Sequence, residues 1–154
     1  MTPAIEVKDL AKYYGDFPAV RDATFEVPRG SVFGLFGPNG AGKSTTIKVI
    51  VGLLKPSRGS VKVMGYPAGS MGAKRHIGYL SEDFSIDGRW RLIDFLEYVG
   101  LLWGMSRREA REEASRMLEW IGLKGWERER FGNLSAGMKR RLGVAQALLS
   151  LIHI

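Results

Sequence analysis

The sequence predicts an α/β fold: a mixed α/β core interrupted by an inserted helical subdomain. Three observations carry this. Short apolar stretches with strand periodicity fill the first third of the chain. A glycine-rich loop then gives way to a helical pattern. After Glu82 the apolar spacing becomes helical for most of the remaining length.

The elements follow in order. "AIEVKDL" alternates apolar and polar residues, as a half-buried strand does, and "ATFEV" does the same. Pro28, Arg29 and Gly30 punctuate a turn. "SVFGLF" is a continuous apolar run, which predicts a strand buried on both faces. The loop "GPNGAGKST" comes next, and from Lys43 a helix is predicted with Ile47, Ile50 and Val51 on one face. Gly52 and Pro56 bracket its end. "GSVKVMG" and "HIGYLSE" read as two further short strands.

The insertion begins near residue 83. "WRLIDFLEYVGLLWGM" predicts a helix with Leu92, Phe95, Leu96 and Val99 on one stripe. Ser106 and Glu109 have capping-box spacing. The helix they open aligns Ala110, Ala114, Met117, Leu118 and Ile121. The aromatic residues Trp90, Phe95, Tyr98 and Trp103 are expected mainly in the core. "GLKGWERERFGN" reads as loop, and a last helix starts near Ser135.

Composition bounds the function classes. The 154 residues suffice for one domain with a real core. With no cysteine there is no disulfide or thiolate metal site. The two histidines, His76 and His153, have no metal-ligand pattern around them. The N-terminus lacks the basic start and apolar run of a signal peptide, and the longest apolar stretch is too short to span a bilayer. The net charge of +7 suits an anionic partner. No aromatic-interleaved basic stripe appears, so no nucleic acid is expected.

Residues 37–44 fit G-x-x-x-x-G-K-[ST] between a predicted strand and a predicted helix. Gly37, Gly40 and Gly42 let the backbone curl so that its N–H groups converge. The following helix adds its positive dipole end. Lys43 supplies a charge for the β- and γ-phosphates, and Ser44 a ligand for Mg²⁺. Pro38, Asn39, Ala41 and Thr45 complete the loop. Kinases, GTPases and motor ATPases share this grip, so other residues must choose among them.

The choosing stretch is "NLSAGMKRRLGVAQALL". Ser135 stands there as an N-cap. Leu134, Ser135, Ala136, Gly137 and Met138 resemble the LSGGQ signature of ABC transporter ATP-binding cassettes, and "FGPNGAGKSTTIKVIVGLLKPSRGSVKVMG" is similar to that family throughout. Met138 matches the LSxGM variant of ABC-2 export types.

The resemblance covers roughly residues 4–149. It implies a P-loop NTPase core of ABC type, a mixed sheet with parallel core strands. It also implies one partial ATP-binding domain: a nucleotide-binding core over residues 1–82, a helical subdomain over 83–131, and signature plus returning helix over 132–154. Tyr14 would stack on adenine, and Glu82 takes the place of the Q-loop glutamine near Mg²⁺. Ser135 and Gly137 would touch the γ-phosphate of ATP held by a second cassette. The partners implied are that second cassette and transmembrane permease subunits, with the chain cytoplasmic, on the inner face of the membrane. The family's strand ending in Asp-Glu, and its later histidine, match no residue here, so the fold is expected to be incomplete at the C-terminus and the chain inactive in hydrolysis. A soluble relative acting on ribosomes or DNA remains a second reading. A P-loop kinase is a third, and would leave "LSAGM" unexplained.

Overall fold

A computed structural model describes residues 2–152. The chain divides into two compact units, Met1–His76 and Ile77–Ile154.

The first unit is a sheet carrying one substantial helix. Its strands are β1 (Ile5–Tyr14), β2 (Phe17–Val27), β3 (Arg58–Val63) and β4 (Tyr66–Pro67), in the order β2-β1-β3-β4, each pair antiparallel. β1 and β2 meet through a two-residue turn whose first residue, Gly15, has φ 56°, a value that glycine adopts freely. The helix α1 (Lys43–Ile50) packs onto the sheet, and Val7, Leu10, Val20, Val49 and Val61 form the core. The buried residues of α1 are Thr46 and Val49, while Ile47 is 40% exposed. The predicted stripe of Ile47, Ile50 and Val51 is thus rotated. The sheet covers only one side of the helix, and the loop's attachment at Gly42 decides which side. A short helix α2 (Met71–Lys74) follows, and His76 stacks on Tyr66 with centroids 5.8 Å apart.

Two predicted strands are not strands in the structure. Residues 31–36 and 77–82 form no ladder, and all pairs in the described sheet are antiparallel, so the parallel core strands are absent from the described residues. The reason is that a strand is defined by a hydrogen-bonded neighbour, which an apolar run cannot supply for itself. Val32 is fully exposed and Phe36 is 92% exposed. Phe33 is held instead by stacking on Phe25 of β2, at 5.4 Å.

The second unit is helical. It comprises α3 (Leu92–Leu102), α4 (Arg107–Trp120), a 3-10 turn (Phe131–Asn133) and α5 (Ala136–Ile152). Leu92, Leu96, Leu118, Leu123, Leu142 and Leu149 are its largest fully buried residues. Residues 77–78 lie along α5: the Ile77 carbonyl accepts from Ser150 Oγ at 3.3 Å, and a Cβ on Gly78 would fall 2.4 Å from the Ala147 carbonyl oxygen.

The helix predicted from Trp90 begins at Leu92, because Arg91 is extended and bridges to Arg130. Of the aromatics expected in the core, Phe95 is buried, but Trp90, Tyr98 and Trp103 are 37%, 46% and 38% exposed. α3 is apolar around most of its circumference, and α4 and α5 cover only part of it.

The capping box forms as spaced. Ser106 Oγ accepts from the Glu109 amide at 3.3 Å, and Glu109 Oε2 accepts from the Ser106 amide at 2.9 Å. Ser106→Ala should cost about 1 kcal/mol. In a unit of this size that lowers the melting temperature by roughly 4–8 °C, read by circular dichroism.

Candidate functional site

The phosphate loop is built by glycine geometry. Gly40 and Gly42 both have φ 84°, where a Cβ would be strained. Gly42 is the N-cap of α1 and offers no side-chain cap. The first-turn amides are therefore left for an outside acceptor, at the positive end of the helix dipole. A Cβ on Gly42 would also fall 2.3 Å from the Ala19 carbonyl oxygen, so a glycine is what lets the loop sit against β2.

Within the loop, the Ala41 amide donates to the Pro38 carbonyl at 3.2 Å. Lys43 Nζ donates to the carbonyls of Gly37 and Pro38, each at 2.7 Å. The loop thus folds around its own ammonium group. Pro38, Asn39, Gly40 and Ala41 are exposed, Thr45 is half-buried, and Ser44 is exposed on the first turn of α1. An exposed hydroxyl there, beside Lys43 and free amides, is a donor set that fits a magnesium-bound phosphate chain.

Tyr14 ends β1 and is 49% exposed, with Lys12 Nζ 5.5 Å from its ring centroid. It pairs with Phe17, two residues before Ala19, so the sheet end bearing Tyr14 adjoins the seat of Gly42.

In the helical unit, Leu134 is buried, anchoring the start of the signature. Ser135 caps α5: its Oγ accepts from the Met138 amide at 3.3 Å and its carbonyl from the Lys139 amide at 2.9 Å. Ser135, Ala136 and Gly137 are exposed, and nothing lies within 4 Å of a Cβ placed on Gly137. Met138 turns inward against the helical core.

Glu82 is an exposed turn residue. Arg140 Nη1 holds its segment, donating to the carbonyls of Ser81 at 3.0 Å and Glu82 at 3.3 Å. The sequence does not single out Arg140. Its only signal was its place on the signature helix, one turn beyond Ser135.

A family model described as ABC transporter matches residues 20–153. The chain belongs to the ABC transporter family. Its fold is that of the family's ATP-binding cassettes, so the α/β class read from the sequence holds. One ABC relative is the probable multidrug ABC transporter ATP-binding protein YbhF of Escherichia coli (strain K12). It is 41% identical over 147 residues, covering 94% of this chain and 25% of that protein. Another is the Nod factor export ATP-binding protein I of Rhizobium sp. (strain N33), 37% identical over 149 residues, covering 96% of this chain and 49% of that protein.

A solved ATP-binding subunit of an ABC transporter superposes with a TM-score of 0.81 at 32% identity, covering 96% of this chain and 62% of that one. The cbiO1 protein of Clostridium perfringens, described as part of the ABC transporter complex cbiONQ, gives 0.83 at 24% identity, a likeness of fold alone. The ABC chain described here spans from a quarter to a half of the length of these curated relatives. Among its described residues no helix is long and apolar enough to cross a membrane.

Proposed function

We propose that this chain is the ATP-binding portion of an ABC transporter ATPase subunit. In this reading two cassettes pair head to tail, and each nucleotide lies between one cassette's phosphate loop and the other's signature helix. Binding and hydrolysis at the pair drive separate membrane subunits from the inner face of the membrane. Export is the favoured direction, supported by the multidrug and Nod factor export names of the relatives.

The observation that carries the reading is the uncapped start of α1. Gly42 leaves its first-turn amides open, with Lys43 folded over the loop beside them. Each residue then has a task. The loop amides over residues 37–45 bind phosphate oxygens, and Lys43 leaves its two carbonyl partners to meet the β- and γ-phosphates. Ser44 would hold Mg²⁺, which would supply charge neutralisation, and Glu82 stands at the position of the family's Q-loop glutamine. Tyr14 stacks on the base. Ser135 and Gly137 face the γ-phosphate of the second cassette. The open space at Gly137 and the helix N-terminus beneath it suit an incoming anion.

Binding itself is tested by calorimetric titration of MgATP. Losing one charged donor to phosphate costs roughly 1.5–3 kcal/mol, so Lys43→Ala should weaken binding by about ten- to a hundredfold. Equal affinity in the variant, at an unchanged melting temperature, would overturn the reading.

A further inference from the structure

Phe17 is 64% exposed, more than any other aromatic residue among the described strands. It stands directly opposite Tyr14 across the Gly15-Asp16 turn. Opposed residues of an antiparallel pair project from the same face of the sheet. Lys12, two residues before Tyr14, shares that face, as its approach to the Tyr14 ring requires. Lys12 pairs in turn with Val20, and Val20 Cγ2 lies 2.9 Å from where a Cβ on Gly42 would be. A register shift separates the Lys12–Val20 pair from the Tyr14–Phe17 pair, so Lys12 is the link between them: it lies over the Tyr14 ring and pairs with Val20, against which the phosphate loop is seated. From Ala19, which the loop touches, to Phe17 is two residues of strand, roughly 7 Å. That is a span of the order of the sugar between a nucleotide's phosphates and its base.

We infer that Phe17 is a second aromatic wall of the base subsite, so that a purine nucleobase is covered by Tyr14 and Phe17 together. The inference rests on the proposed ATP site and adds to it a residue that the loop and signature motifs do not contain. Two exposed aromatic side chains on paired residues leave apolar surface in water, and a flat aromatic base covers such surface without needing edge hydrogen bonds. Lys12 adds a positive charge beside the platform, on the path toward the phosphates. Stacking tolerates any base, so the platform contributes affinity rather than discrimination.

The test titrates the 154-residue chain with MgATP and, separately, with magnesium tripolyphosphate, which has phosphates and no base. Phe17→Ala should weaken MgATP about fivefold or more while leaving tripolyphosphate unchanged, and Phe17→Tyr should restore MgATP binding. If Phe17→Ala leaves MgATP unchanged while Lys43→Ala weakens both ligands, this inference falls and the ATP site stands. If Phe17→Ala weakens both ligands alike, its effect is on the loop and the base subsite is refuted. If Lys43→Ala weakens neither ligand, the ATP site and the inference fall together.

Discussion

Gly42→Ala should lower MgATP affinity by about tenfold or more and destabilise the sheet unit, whereas Gly40→Ala should do much less. Both glycines have φ 84°, so each alanine carries the same left-handed strain, about 1–2 kcal/mol. They differ in what the new methyl meets. At Gly40 there is nothing within 4 Å, and at Gly42 the Ala19 carbonyl oxygen is 2.3 Å away with Val20 Cγ2 at 2.9 Å. Backbone cannot yield as a flexible side chain can, so the loop must lift off β2. That turns the first-turn amides of α1 away from the phosphates and opens the core at Val20. The paired variants separate conformation from contact, through titration with MgATP and a thermal melt of each. Equal behaviour of the two would show that contact with β2 does not set the loop.

Leu118→Ala should be among the most damaging truncations in the helical unit. Leu118 is fully buried on α4, in one core with Leu92 and Leu96 of α3 and Leu142 of α5. Removing a buried leucine to alanine costs about 2–5 kcal/mol, against a whole-domain stability of about 5–15 kcal/mol. The melting temperature should fall by more than about 10 °C, followed at 222 nm, where the helices dominate. Leu118→Met, which conserves volume, should cost less than about 1.5 kcal/mol. Matching losses for the two would mean that the core around Leu118 is loosely packed. The consequence for function runs through α5. Arg141 of that helix donates to the Ile121 carbonyl at 3.1 Å, so the end of α4 is tied to the helix whose first turn presents Ser135 and Gly137. Loosening α4 would loosen the first turn of α5.

The phosphate loop and the signature were legible because each is local. A glycine's φ, a lysine one residue past it and a serine capping its own helix all depend on neighbours in the chain. The capping box at Ser106 and Glu109 was legible for the same reason, and so were the helices it separates. Arg140 was not legible, since its hydrogen bonds reach residues 58 and 59 positions away. Phe17 was not legible either, because its meaning depends on which face of a paired strand it occupies.

The sequence by itself determined the first strands, the main helices, the family and the spacing of the two motifs. Only the tertiary structure decided which predicted strands found partners, which face of α1 is buried, and which aromatics of α3 stay in water. The division has one physical cause. Backbone conformation and helix capping are settled over three or four residues, whereas a β-ladder and a buried face each require a surface supplied by chain far away in sequence. "SVFGLF" shows it most plainly: apolar enough for a central strand, it remains without a ladder among the described residues, with Val32 and Phe36 exposed.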